Sequence, residues 1–552
     1  MPATSANFAG LHRGGACTGG SCGAGSPPDP NGDVGPNNYV EAVNTSVGMF
    51  SKTGTQQAAF TFNSLWATAG SGTPCDTKNN GDPTVVYDPM ADRWFVADFA
   101  FAFSGFNPVG PFYECIAVSK TSDPVSGGWW LYAIRTDDAA HPWLPDYPKM
   151  GIWPDGLYMS ANMFDCTSGC TYKEVRVWAF NRTVMEAGQP LQGVLFDTSA
   201  TYFSMLPGNL RGAAPPAGTP NYFTSEDQFA YTFDVFKFHV DWVTPSSSTF
   251  TGPISVSQTS YANPCSAPQP ATATKLDSLG DRVMMQAQYR NISGTESLWV
   301  SHTAGCGPTG VQWAQINVTG GTIAATPVQQ QIWTNVNSDG VYRWMPSLAV
   351  DRLGDMAVGY SASSATVYPS IRDAGRLTTD PANTLAQGEG TIVAGTGSQA
   401  FNCGGGPCTR WGDYTAMTVD PIDDCTFWYV NEYYTTTGSN DWQTRIASFK
   451  YPNCGGAHVT VAPNSGPATQ GVSVFGSGFS PGESLRVKYK TGLSAPGPSS
   501  VILCNTTTTA TGTFFCNAHI PGSATAGSRG AHAIVAKGLT SLTKAKTTFT
   551  LT

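Results

Sequence analysis

A chain of 552 residues is too long for one ordinary core and predicts two or more domains. Only 12% of its residues are charged, against 61 Gly and 39 Pro, which argues against a helical protein and for an all-β chain rich in turns. A net charge of −9 with no Lys/Arg cluster excludes a nucleic-acid partner and a polybasic membrane patch.

Residues 1–28 are rich in Gly, Ser, Pro and Cys and read as an irregular arm pinned by Cys17 and Cys22. Residues 1–10 are neither basic nor apolar, so the expectation is a mature form that carries no secretory leader of its own. From residue 29 to 454 one pattern recurs: an apolar run, an Asp, three residues and a polar one, then apolar residues again. It appears around Asp33, Asp88, Asp277, Asp351 and Asp420, with a shorter relative at Asp155. A strand, an Asp-led turn and a second strand make a β-hairpin. Hairpins repeated at intervals of tens of residues predict the blades of a β-propeller. Seven units start near residues 29, 82, 146, 219, 272, 341 and 409, or six if the fourth merges with a neighbour. That fourth unit, 221–242, is strand-like but lacks the Asp turn. Closure of the ring is expected through 444–449. The most apolar stretch, 94–106, is broken by Asp98 and Ser104, and no run reaches the roughly 18 residues of a transmembrane helix.

Gly455-Gly456 reads as a linker, and 457–552 as a separate module of short alternating strands, expected to be a small β-sandwich. Gly478-Phe479-Ser480-Pro481-Gly482 matches the nucleophile-elbow spacing. That chemistry needs a strand-to-helix turn, so within a sandwich it reads as a turn.

The 14 Cys fall into neighbouring couples. The simplest pairing is Cys17–Cys22, Cys75–Cys115, Cys166–Cys170, Cys265–Cys306, Cys403–Cys408, Cys425–Cys454 and Cys504–Cys516, the last stapling one hairpin. No Cys-x-x-Cys or zinc-like His spacing competes, so disulfides and a secreted, extracellular setting are expected.

Candidate chemistry lies at two places. Asp29, Asn31 and Asp33 carry oxygens at alternate positions, which suits either a calcium ion or an Asx-type turn. The recurring Asp residues read as turn-formers, because a residue repeated in every unit is accepting backbone N–H bonds. Chemistry is expected just upstream, where the units differ: Gly81-Asp82-Pro83, Asp146-Tyr147-Pro148-Lys149, Arg343-Trp344 and Arg410-Trp411-Gly412-Asp413-Tyr414. If the innermost strands start at one face, these converge on a central funnel. Asp82, Asp146 and Asp413 would supply acid/base or nucleophile carboxylates. Arg343 and Arg410 would hold an anionic group, Trp344, Trp411 and Tyr414 a sugar face, and Tyr147 and Lys149 further contacts.

The hairpin repeats are similar to the sialidase/BNR-type propeller proteins of bacterial secretomes over roughly 29–454. The resemblance is one of pattern. That family's Asp box, Ser-x-Asp-x-Gly-x-Thr-Trp, has no match here, and its Arg and Tyr–Glu residues do not map one to one. The tail, from Val459 through Val472 to Glu483, resembles the Ig-like repeats that follow catalytic or adhesive domains in bacterial secreted proteins. Two functions fit. One is a glycan-active enzyme, a glycosidase or in variant form a polysaccharide lyase. The other is a non-catalytic, calcium-dependent protein binding glycan or cell surface.

Overall fold

The computed structural model describes residues 1–334, 339–403, 405–494, 496–509 and 512–552. It is all-β, and its strands form seven sets of four followed by a two-sheet module. One strand, β1 (Ala6–His12), comes from the N-terminal arm. The sets open with β2 (Asn31–Val34), β3 (Gly81–Asp88), β4 (Leu144–Trp153), β5 (Leu206–Gly212), β6 (Met284–Ile292), β7 (Tyr342–Val350) and β8 (Ala416–Val419). These opening strands neighbour one another in cyclic order, β2 to β8 and back to β2, so the sets form a closed ring. β5 and β6 pair directly and in parallel, Gly208 opposite Ala287, which fuses the fourth and fifth sets into one eight-stranded sheet.

Apart from β5 and β6, an opening strand has a sheet partner on one side only, so its other edge faces the ring axis with N–H groups to satisfy. Side chains from an adjacent set satisfy them. Asn31 Oδ1 accepts from Val85 N (2.8 Å), Asp33 Oδ2 from Tyr87 N (2.8 Å), Asn209 Oδ1 from Ile152 N (3.1 Å), Gln288 Oε1 from Val350 N (2.6 Å) and Ser347 Oγ from Met417 N (2.8 Å). Arg211 reaches from β5 to Asp33 on β2. Polar side chains thus bolt the inner strands together, while apolar side chains pack between adjacent sheets.

Several expectations change. Asp88, Asp351 and Asp420 do form Asx turns, accepting from Met90 N (2.7 Å), Leu353 N (2.8 Å) and Ile422 N (3.0 Å). Asp33 does not: it lies within β2, and the turn after it is made by Gly35. Asp277 also forms an Asx turn, accepting from Leu279 N (3.1 Å), but it lies in a loop ahead of β6, so 277–285 is no hairpin. The fourth and fifth sets open at Leu206 and Met284, not near 219 and 272. The last set runs β8, Phe427–Tyr434, Trp442–Phe449 and then β1, so the arm read as irregular supplies its outermost strand.

All seven expected disulfides are present. Cys504–Cys516 differs in role: Ser500–Thr507 and Phe514–His519 belong to opposite sheets of the C-terminal module, so it ties the sheets rather than one hairpin. That module packs Val474, Leu485, Val487, Ile534 and Phe549 between its sheets. Ser480 sits in a loop, its N–H given to Glu483. The module bonds to the ring through Gly478 N to Ile422 O (2.9 Å) and through Arg352 to Gly455 O. Ile422 lies three residues past Val419, the last residue of β8, so the module sits on the side of the strand ends.

Candidate functional site

The starts of the inner strands share a strained device. Asp29, Asp82, Tyr147 and Met345 have φ of 47°, 52°, 58° and 49°, and each stands directly before a proline. The register slips at the same places on β3, β4 and β7. A left-handed non-glycine residue is costly, and a following proline restricts it further. The surrounding contacts must therefore hold these residues in place.

Met345 N donates to Thr303 Oγ1 (3.0 Å), and the contacts of Asp29, Asp82 and Tyr147 form one network at the ring's mouth. Asp82 Oδ2 accepts from Tyr414 OH (2.6 Å) and Tyr147 N (3.0 Å). Asn44 bridges, receiving Asp82 N (2.8 Å) and donating to Asp29 Oδ2 (2.6 Å). Asp29 Oδ1 accepts from Asp413 N (2.7 Å), and Asp413 pairs with Arg410 (2.5 Å). Beneath them Lys149 Nζ lies 3.5 Å and 3.4 Å from the ring centroids of Tyr147 and Tyr414, a doubly aromatic seat for one ammonium. Arg282, 4.9 Å from the Tyr147 ring and paired with Asp281, approaches from the loop before β6.

Electrostatics separate the carboxyls. Asp146 is half-buried and accepts no hydrogen bond from any described residue. Burial, then the charge of Asp82, pushes it up to about 7, while Arg282 pulls it back. Burial also raises Asp29, with Asp413 and Asp82 adding to it, and raises Asp413 against the pull of Arg410. Lys149 is driven down to about 7 by burial despite three nearby carboxylates. Below the mouth, Glu114 is lifted to about 8 by burial and Asp82, and Glu432 is raised by burial and Asp29.

Asp82, Asp146, Asp413, Tyr147, Lys149, Arg410 and Tyr414 therefore come together, with Asp29 and Arg282 added. Arg410 is the open one, its side chain half-exposed, whereas Tyr147, Tyr414 and Lys149 are buried and form the floor rather than a contact surface. Arg343 does not belong to the mouth. It is fully buried, and Glu389 (2.6 Å), Asp339 (2.8 Å) and two backbone carbonyls take up its guanidinium. Trp344 and Trp411 are 0% exposed, core residues that offer no face to a sugar, and Trp411 Nε1 is spent on Ser361. Asp29, Asn31 and Asp33 are each engaged within the protein: Asp29 and Asn31 by Asp413, Asn44, Val85 and Met285, and Asp33 by Arg211 and Tyr87 N.

Sequence reasoning gave Asp29 to a metal and left Arg282 inside a supposed hairpin. The residue-before-proline repeat was the available signal for Asp29; none marked Arg282. What the assembled mouth can do is proton transfer: a carboxyl poised near neutrality stands beside a second carboxyl fixed by a phenol and a backbone amide.

No protein-family model matches the chain, and no curated protein matches it. Among solved structures it is similar to a novel fungal alcohol oxidase of the AA5 family in complex with copper, at 12% identity over 100% of this chain and 98% of that one, with a TM-score of 0.40. It is also similar to Trypanosoma rangeli sialidase in complex with sialic acid (9%, 83% and 81%, TM-score 0.34). A third is the GH43_1 enzyme from Xanthomonas citri complexed with xylose (10%, 54% and 90%, TM-score 0.28).

Proposed function

We propose that the ring is a seven-bladed β-propeller, the C-terminal module an Ig-like sandwich, and the whole a secreted glycan-active enzyme that hydrolyses a glycosidic bond at the propeller mouth. Asp146 carries the reading: an unpartnered, half-buried carboxyl held up to about 7 by burial and by Asp82. Asp146 acts as the general acid that protonates the leaving oxygen. Asp82, fixed by Tyr414 and Tyr147, acts as base or nucleophile. Arg410 receives an anionic group of the substrate, and Asp413 positions Arg410. Seven disulfides support secretion. In the lyase variant the base would be a tyrosine or Lys149, and Lys149 lies between the Tyr147 and Tyr414 rings.

A second reading is a non-catalytic glycan binder, favoured by the buried Tyr147–Lys149–Tyr414 floor, in which the ammonium is held between two rings. A panel of neutral and anionic polysaccharides, scored for reducing ends released and for binding, separates the two. Wild type should cleave one class, and Asp146→Asn and Asp82→Asn should each lose about 10²-fold or more while still binding it. Binding without release in wild type supports the binder, and equal release by wild type and Asp146→Asn overturns the enzyme site.

A further inference from the structure

The outer edge of the third sheet carries a separate cluster of ligand-type side chains. Glu174 lies on Thr171–Phe180 and Asp197 ends the neighbouring strand Gly193–Asp197, where it faces Arg176 in register. His141 belongs to the loop that enters β4. One ligand atom from each of His141, Glu174 and Asp197 lies within 4.8 Å of the others. Glu174 is 8% exposed, and its Oε1 finds no hydrogen-bond donor. A buried carboxylate oxygen without a donor is expensive, and a cation is one way to satisfy it.

We propose that His141, Glu174 and Asp197 bind a divalent transition-metal ion, with zinc the best fit. One imidazole and two carboxylates form a mixed nitrogen–oxygen set of three, the number zinc takes when it keeps further positions for water or a ligand oxygen. Calcium, which wants six to eight oxygens, is poorly served. The surroundings fit as well. Asp138 contacts His141 Nδ1 at 3.2 Å, which leaves the imidazole lone pair on Nε2, as carboxylate partners do behind metal-bound histidines. Trp143 meets the imidazole edge-to-face at 4.7 Å. Arg176 holds Asp197 (2.5 Å) and reaches Asp138 (3.2 Å). With the carboxyls ionised, three negative charges face the single charge of Arg176, and the remaining two match a divalent ion. His141 and Asp197 are reachable from solvent, so the ion has an entry path.

The test is calorimetric titration of the chelator-stripped full chain with zinc chloride, checked by metal content after dialysis. Wild type should hold one equivalent. His141→Ala and Glu174→Gln should each weaken binding at least tenfold, and equimolar calcium should not displace the zinc. His141 is a half-buried loop residue, so His141→Ala decides the matter if Glu174→Gln does not fold. No saturable zinc in wild type, unchanged affinity in folded variants, or ready displacement by calcium would each overturn the proposal.

Discussion

Asp146 and Asp413 both sit at the threshold of an inner strand, yet their neighbours set them to different tasks. Asp413 is closed in by Arg410, and its backbone N–H is tied to Asp29, so it has little freedom to exchange a proton with a ligand. Asp146 has no such partner and feels its neighbours through space: Asp82 and Asp413 raise its pKa, and Arg282 and Arg410 lower it. A general acid works only while protonated, so activity should fall as pH rises through about 7. The neighbours fix the sign of two further shifts. Arg282→Gln removes a cation that favours the ionised form, so the alkaline limb should move to higher pH. Asp413→Asn removes an anion that favours the protonated form, so the limb should move to lower pH. Profiles of kcat/KM against pH for the three proteins check this, and limbs that coincide would take Asp146 out of the acid role.

Among the elements, β1 completes the last set of the ring and was the hardest to foresee. Its Ala, Asn and Gly content gives no strand signal, so 1–28 reads as an arm. In the fold, Ala6 to Ala9 pair with Ser448 to Arg445, Leu11 N donates to Glu41 (2.7 Å), and Phe8 packs on Phe50 and Trp428. Leu11 is buried, so Leu11→Ala should cost about 2–3 kcal/mol and deletion of residues 1–12 more, measured by denaturant unfolding. An unchanged midpoint in the deletion would mean that Trp442–Phe449 closes the ring unaided. The contrast with Asp88, Asp351 and Asp420 explains what was legible. There a side chain makes its own turn two residues on, so local sequence suffices. The fourth and fifth sets were misplaced because their opening hairpins lack that turn and because a long loop, 258–283, precedes β6. Burial is not local either, so Trp344 and Trp411 read as platforms while Arg282 stayed hidden until the ring brought it to Tyr147.

Taken whole, the molecule buries many acids, and that sets how its stability answers to pH. Burial lifts Glu41, Glu114 and Glu226 to about 8 and Asp373 to about 7. The folded chain keeps these protons where the unfolded chain, titrating near 4.5 or below, has given them up. The stability they contribute is full below the unfolded values and is lost as pH rises towards about 8. Two histidines act the other way. His302 and His458 are driven down to about 4 by burial, so the unfolded chain holds more protons between about 4 and 6.5, and stability gains as pH rises there. Lys149, lowered to about 7, adds a gain above that pH. The acids outnumber these groups, so the melting temperature should fall from pH 5 to pH 8, most steeply between about 6.5 and 7, where the histidines no longer compensate and Lys149 has not begun to. Glu41→Gln isolates one contributor: the amide oxygen can still accept from Leu11 N but cannot ionise. It should raise the melting temperature at pH 8 and leave pH 5 nearly unchanged. A wild type equally stable at both pH values, or a Glu41→Gln variant no better at pH 8, would mean that these carboxyls are already ionised in the folded ring.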